Sequence, residues 1–176
     1  TTMAWRSLRI SSIVDFARVN LAKAPEKGLP ARLADDGVHW NVDPAHDFVD
    51  FPGGAKKFTL RQDPQPGGGW WALSSPAIPP LAGFNVDKVR NTLALMHSDD
   101  LRTWEIRSIV WRHPDVARHG FQYPDWIFDG ADLIFVCRTA YDDGLGGAHS
   151  MHDANYLTFH RIVNFRARRL PPQATE

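Results

Sequence analysis

The feature that most restricts the fold of this sequence is an internal repeat with a spacing of about 64 residues. Adding this spacing to Trp40 gives Trp104. The same spacing superposes the apolar segment at residues 71–75 on the one at 135–139. Each match is weak by itself, but one constant offset over several segments predicts copies of a single structural unit.

Each copy has the pattern of four short strands. In the better defined copy, strands are predicted at residues 57–62, 70–75, 92–97 and 104–111. In the next copy, they are predicted at residues 122–128, 133–139 and 156–161, followed by a final strand after Asn164. Thirteen prolines and thirteen glycines provide the tight turns that many short strands need, and helical periodicity is poor throughout.

Repeated four-stranded antiparallel units of this size are the building blocks of β-propellers. The sequence therefore predicts an all-β fold that is part of a β-propeller, with about 2.75 blades. It predicts one domain over residues 1–176, divided into a blade remnant at 1–46, blades at 47–111 and 112–170, and a tail at 171–176. A two-sheet sandwich is the alternative, but it does not require a fixed offset.

Propellers usually close a ring of four or more blades, and an open ring leaves strand edges and apolar surface uncovered. The missing blades are therefore expected from another chain, from a second copy or from a longer parent protein. Lys and Arg together number 20, as do Asp and Glu, so there is no basic excess for a nucleic-acid partner. The apolar runs are too short to span a bilayer, so no membrane partner is expected.

The most polar part of the sequence is the loop at residues 138–155, which follows a predicted buried strand. It holds three aspartates, two histidines, an arginine, a tyrosine and an asparagine among glycines. These residue types are typical of a sugar-binding, acid–base or metal site. In a propeller, this loop emerges on the same face as the links at residues 47–57 and 112–121 and the loop at 76–90, so all four are predicted to surround one funnel.

Asp125 is the first candidate for a catalytic carboxylate because alternation along its inner strand points it, with Tyr123, to one side. The alternative is a strand-end aspartate that caps a turn. Glycoside hydrolysis needs two carboxyl groups, and Asp142 and Asp143 are the further catalytic candidates, with loop stabilisation as the alternative for each. The predicted substrate-binding residues are Asp50, Arg61, Tyr123, Arg138, Tyr141, His149, His152, Asp153 and Asn155.

Two of these residues carry more specific expectations. Arg61 stands one repeat before Asp125 and is expected to face it across the channel. Arg138 ends a buried strand, so a carboxylate partner is expected from Asp125 or Asp142. No cofactor and no metal are predicted. His149, His152 and Asp153 are nevertheless spaced closely enough to be considered as zinc or calcium ligands. The alternative for the two histidines is sugar binding or stabilisation of the loop.

The turn that contains Ser98, Asp100 and Trp104 resembles the Asp box of sialidase-type propellers, although it is one residue shorter and lacks the glycine of that motif. Together with the segments at residues 47–61, 119–126 and 138–155, it resembles bacterial sialidase-like (BNR/Asp-box) propellers of the glycoside hydrolase type. The resemblance begins at about residue 25 and corresponds to the C-terminal half of those proteins.

This resemblance implies a glycosidase that acts on a glycan at the front funnel of a propeller, in an extracellular or periplasmic location. Sialidases bind the substrate carboxylate with an arginine cluster and use a tyrosine–glutamate pair, and Arg61, Arg138 and Tyr141 imitate part of that arrangement. No glutamate lies in the matching segments. The alternatives are a carbohydrate-binding propeller without catalysis and a half-propeller that assembles with another chain.

Overall fold

The computed structural model describes residues 13–79 and 84–170 and shows an all-β chain with three antiparallel sheets. In the first sheet, β2 (Lys27–Leu33) pairs with β1 (Val14–Arg18), β3 (Trp40–Asn41) and β4 (Val49–Asp50). The second sheet has the order β5 (Thr59–Gln62), β6 (Trp70–Ser74), β7 (Thr92–Ser98), β8 (Glu105–Arg112). The third contains β9 (Gly120–Asp129), β10 (Asp132–Ala140) and β11 (Tyr156–Ile162).

The second sheet confirms the predicted four-stranded unit. Its strands follow one another as an antiparallel meander, and each lies within about two residues of the predicted bounds. The three sheets are arranged as consecutive blades of a partial propeller, and no closed ring forms within the described residues. The predicted all-β, partial-propeller fold is therefore confirmed.

Two parts of the strand prediction need correction. No strand follows Asn164 in the described residues; a 3-10 helix at Phe165–Ala167 takes its place, so the third sheet has three strands. Asn164 adopts a positive φ of 49°, and the buried Phe165 side chain packs against Trp71 of the second sheet. β4 pairs with β2, so the first sheet extends beyond the predicted blade boundary at residue 46.

The second sheet is buried on both faces, because alternate side chains point in opposite directions. One face carries large residues, among them Trp71 and Leu95, which pack with Trp126 and Phe135 of the third sheet. The other face carries the small or flexible residues Ala72, Ala94 and Met96, which pack with Phe51 beside the first sheet. An aromatic cluster of Phe16, Phe51, Phe58 and Trp104 fills the space that these small residues leave.

The inner strands of the second and third sheets lie side by side. The Thr59 hydroxyl donates to the Pro124 carbonyl at 2.6 Å, and the Trp126 indole N–H donates to the Thr59 carbonyl at 3.0 Å. At one end of these strands the four predicted front loops meet, for example where the Lys56 ammonium reaches the Val86 carbonyl at 2.8 Å. This end is called the front below.

The outer face of the third sheet carries uncovered apolar side chains. Leu157 is 74% exposed and Phe159 64% exposed, and Ile127 and Val136 extend the same surface. In the part of the chain that the structure describes, no helix has the length and apolar composition needed to cross a bilayer. Cys137 lies in the core, where burial raises the pKa of its thiol to about 11.

Candidate functional site

The first candidate site extends from the front into the channel along the inner strands β5 and β9. Arg61 donates from Nη2 to Asp125 Oδ1 at 3.0 Å and from Nε to the Trp126 carbonyl at 2.5 Å. The same carboxylate oxygen accepts the Trp126 backbone N–H at 2.9 Å, and the Asp125 side chain is 67% exposed. The structure thus brings together the pair that the repeat offset predicted, and it leaves the carboxylate open to solvent.

A β-bulge sets the direction of Tyr123. Asp125 pairs with Val136 while Gln122 pairs with Arg138, so Tyr123 and Pro124 together face one residue of β10. Tyr123 adopts a positive φ of 49°, a conformation that non-glycine residues seldom adopt outside turns and functional sites. Bulges next to sites often re-aim a side chain in this way.

Two cations lie close to the Tyr123 ring. The Lys57 ammonium and the Arg138 guanidinium are each 5.1 Å from the ring centroid, and the phenol oxygen is 3.1 Å from His152 Nε2. Both charges are within the range of a cation–π contact. The predicted residues Tyr123, Arg138 and His152 therefore form one cluster, which Lys57 joins.

The expectation of a carboxylate partner for Arg138 is wrong within the described residues. Its side chain is exposed beside the bulge and donates only to the His152 carbonyl, at 3.5 Å. Water solvates an exposed guanidinium, so no ion pair is required. Sequence reasoning also missed Arg90, whose pKa is lowered by burial and by the positive charges of Arg18 and Arg138. The only signal for it was its position at the end of a predicted front loop.

The second candidate site lies between the second and third sheets, also at the front. His113 and His119 stack with ring centroids 3.5 Å apart and 20° between the planes, and the edge of Tyr141 packs on both. Asp142 completes the only group in the described residues in which three His, Cys, Asp or Glu ligand atoms lie within 4.8 Å of one another. A cleft of about 460 Å³ opens beside this group, lined by residues that include Trp111, Tyr156, Thr158 and His160.

His119 is the most unusual member of this group. Its side chain is 5% exposed, and neither ring nitrogen has a hydrogen-bond partner in the described part of the chain. Nε2 faces Asp142 at 3.5 Å, and Nδ1 faces Asp115 at 3.4 Å. Sequence reasoning placed both histidines on a front link but gave neither a role, because the link by itself does not reveal that Asp142 approaches it.

Asp143 and Asn155 hold the loop at residues 140–155 in shape. Asp143 Oδ1 accepts the backbone N–H groups of Leu145 and Gly147, each at 2.8 Å, and Oδ2 accepts the Asn155 amide at 2.9 Å. The Asn155 amide, followed by these backbone groups, lowers the pKa of Asp143. Asn155 also exchanges two hydrogen bonds with the backbone of Tyr141. These contacts favour the loop-stabilising alternative for Asp143 over a catalytic role.

The remaining predicted residues lie apart from both clusters. Asp50 forms an ion pair with Lys27 of the first sheet at 2.5 Å. His149 and Asp153 are exposed, and their side chains make no hydrogen bond to a described residue. The structure therefore does not assemble His149, His152 and Asp153 around a shared ion; the group that meets ligand distances is the one at His119.

Comparisons with protein-family models, with curated proteins and with solved structures give no match for this chain. The resemblance to sialidase-like propellers therefore stays a prediction.

The two clusters differ in what they can do chemically. The first presents one carboxylate beside cationic and aromatic groups, which suits the recognition of an acidic ring-shaped ligand. Within the described residues, no second carboxylate contacts Arg61 or Asp125. The second presents imidazole nitrogens and a carboxylate beside a cleft with aromatic walls.

Proposed function

We propose that this chain is part of a glycoside hydrolase of the sialidase-like propeller type, which binds an acidic glycan in the central funnel, along its inner strands. The observation that carries this proposal is the contact between Arg61 and Asp125 on neighbouring inner strands, next to the Tyr123 cluster. The front of the central funnel is the place where the resemblance expects the substrate.

The charges at this site favour an acidic sugar. Lys57 and Arg138 form no ion pair with a described carboxylate, although both lie against Tyr123. A guanidinium binds a carboxylate or sulfate through two parallel hydrogen bonds, and an aromatic ring packs on the apolar face of a sugar. A uronic acid, a sialic acid or a sulfated sugar would supply both kinds of group.

In this proposal Asp125 acts as an ionised carboxylate. Its ion pair with Arg61 suits the nucleophile or base of glycoside hydrolysis, which faces developing positive charge on the sugar ring. The proton donor must be a second carboxyl group, and it is expected from the blades that complete the ring. A propeller of this kind would require both parts for turnover.

The test compares the Asp125→Asn variant with the wild-type chain, and each is assembled with its partner blades where these are found. Hydrolysis is measured with aryl glycosides of sialic and uronic acids, and sugar binding by calorimetry. We expect turnover to fall at least about a hundredfold while the affinity changes only a few-fold, because the substitution removes charge but little volume. Asp35→Asn, the same substitution at an exposed aspartate outside both clusters, serves as the control. Unchanged turnover in Asp125→Asn would exclude this catalytic role.

A second candidate is a carbohydrate-binding propeller without catalysis. It is favoured by the single carboxylate in contact with Arg61. This candidate predicts sugar binding that Arg138→Ala weakens, and no turnover even in the intact assembly. The absence of acidic-sugar binding in the assembled protein would exclude both candidates and leave the third, a half-propeller that assembles with another chain.

A further inference from the structure

The second cluster contains a buried imidazole that makes no short hydrogen bond in the described part of the chain. The His119 side chain is 5% exposed, and both of its ring nitrogens lack a hydrogen-bond partner within the described residues. Buried polar groups in folded proteins are almost always paired with protein, water or an ion. Asp115 Oδ2 is 3.4 Å from Nδ1, so Nε2 is the nitrogen that points to a missing partner.

The distances around His119 are longer than those of hydrogen-bonded histidines elsewhere in the chain. His39 contacts Asp36 at 2.5 Å and His46 contacts Asp43 at 2.7 Å, whereas His119 Nε2 lies 3.5 Å from Asp142 Oδ2. Two ligand atoms bound to one tetrahedral zinc ion, each about 2.0–2.1 Å from it, lie about 3.3 Å apart. The gap between His119 and Asp142 is therefore close to the separation of two atoms that share a metal ion.

We propose that His119, Asp142 and His113 bind one divalent transition-metal ion of the zinc class at the mouth of the cleft. Three protein ligands leave a coordination position open, and the cleft is where a water molecule or another small ligand would occupy it. This site is separate from the Arg61–Asp125 cluster, and the inference does not depend on the proposed glycosidase function.

Asp115 is placed to orient the principal ligand. Its Oδ1 accepts the backbone N–H groups of Ala117 at 2.8 Å and Arg118 at 3.1 Å, which fixes the carboxylate with Oδ2 3.4 Å from His119 Nδ1. Metal-binding histidines commonly donate their other ring N–H to such a carboxylate. A proton on Nδ1 leaves the Nε2 lone pair free on the side of Asp142.

His113 must move slightly to join the site. Its ring is nearly parallel to that of His119, so both rings cannot point at one ion without rotation of one of them. His113 Nδ1 accepts the Asp115 backbone N–H at 3.1 Å, and metal binding exchanges this contact for a metal–nitrogen bond. His113 is only partly buried and lines the cleft, so its ring has space to turn.

The ligand types select the class of ion. Calcium and magnesium prefer oxygen ligands, whereas two imidazoles with one carboxylate suit zinc, cobalt or nickel. Zinc and cobalt are therefore the probes for the test, and cobalt reports its coordination through its visible absorption.

The test measures Zn²⁺ binding to the tag-free chain by calorimetry and native mass spectrometry. We expect one ion per chain, no binding in His119→Gln, and at least a tenfold weaker affinity in both Asp142→Asn and Asp115→Asn. His39→Ala changes an exposed histidine in the first part of the chain, outside both clusters, and should bind as the wild type does. Cobalt should give a visible spectrum in the wild type that Asp142→Asn alters.

Two results would overturn the proposal: no stoichiometric ion in the wild type, or equal affinity in the wild type and Asp142→Asn. Asp142 is 69% exposed, so its substitution leaves the core intact and decides the question even if His119→Gln fails to fold. Loss of Zn²⁺ binding with unchanged sugar hydrolysis would separate this site from the proposed function.

Discussion

Asp142 and Asp143 are neighbours in the sequence, but their carboxylates have different surroundings. Asp143 accepts three hydrogen bonds from its own loop, while Asp142 faces the unsatisfied ring of His119. Adjacent side chains in extended backbone point different ways, but the sequence does not show which of the two aspartates is free. Which aspartate is free depends on two features: the glycines that let the loop backbone fold back onto Asp143, and the position of the link at residues 112–121, which brings His119 to Asp142.

Asp63 illustrates at the same scale how one side chain can join two blades. It lies in the β5–β6 turn, with no exposed side-chain surface, and accepts two hydrogen bonds from Arg166 at 2.7 and 2.8 Å and one from the Trp71 indole at 3.1 Å. Burial by itself would raise the pKa of Asp63, but the hydrogen bonds from Arg166 and from the Gln65 backbone outweigh it and lower this pKa.

We predict that Asp63→Ala lowers the free energy of unfolding by about 3–5 kcal/mol, because it removes one partner of a buried ion pair. Since the pKa of Asp63 is lowered on folding, its stabilisation is present above the unfolded pKa, near 3.8, and is lost as the pH falls through the folded value. The variant should therefore lose less stability than the wild type on acidification. Urea unfolding at several pH values checks both effects, with the exposed Asp35→Asn as control.

At the scale of elements, the front loop at residues 140–155 is held against β9 by very close backbone contact. Met151 donates its N–H to the Ala117 carbonyl at 2.7 Å, and its own carbonyl accepts the Gln122 amide at 2.6 Å. A Cβ atom on Gly120, the first residue of β9, would lie 2.1 Å from the same Met151 carbonyl oxygen. The loop can occupy this position only because residue 120 has no side chain.

We predict that Gly120→Ala displaces this loop and lowers the melting temperature, because backbone atoms on one side or the other must move. Hydrogen exchange of the Met151 N–H should become faster. Gly144→Ala is the matched comparison in the same loop: it has open space but a positive φ of 74°, so it should cost only about 1 kcal/mol and leave Met151 protected. Equal effects of the two substitutions would contradict the contact argument.

For the whole molecule, the main feature is the uncovered outer face of the third sheet. Leu157 and Phe159 project from β11 into solvent, and Ile127 and Val136 lie beside them. Apolar surface of this kind is where a further blade would pack in a propeller, and contiguous exposed patches commonly mark interaction surfaces. The open arrangement of sheets agrees with the expectation that other blades complete the ring.

In a solution of the purified chain, only further copies are present to cover this face. We therefore predict self-association, with an apparent mass above the 19.8 kDa of one chain in sedimentation experiments. Phe159→Lys should reduce the association, because it places a charge within the patch. Val38→Lys changes an equally exposed apolar residue of the first part of the chain and should have little effect. A folded wild-type monomer at high concentration would contradict this prediction.

The sequence by itself determined the strand pattern, the repeat and the pair Arg61–Asp125. Turn residues and the alternation of apolar and polar residues are local signals, so the strands can be predicted from the sequence. The repeat places Arg61 and Asp125 at equivalent positions of neighbouring blades, so their contact can be predicted from the spacing of 64 residues. Only the tertiary structure decided that a 3-10 helix replaces the last predicted strand, that Arg138 is solvated beside Tyr123, and that Asp142 meets His119. The physical reason is that these contacts join segments that no repeat relates, so their positions depend on how the sheets and loops pack together.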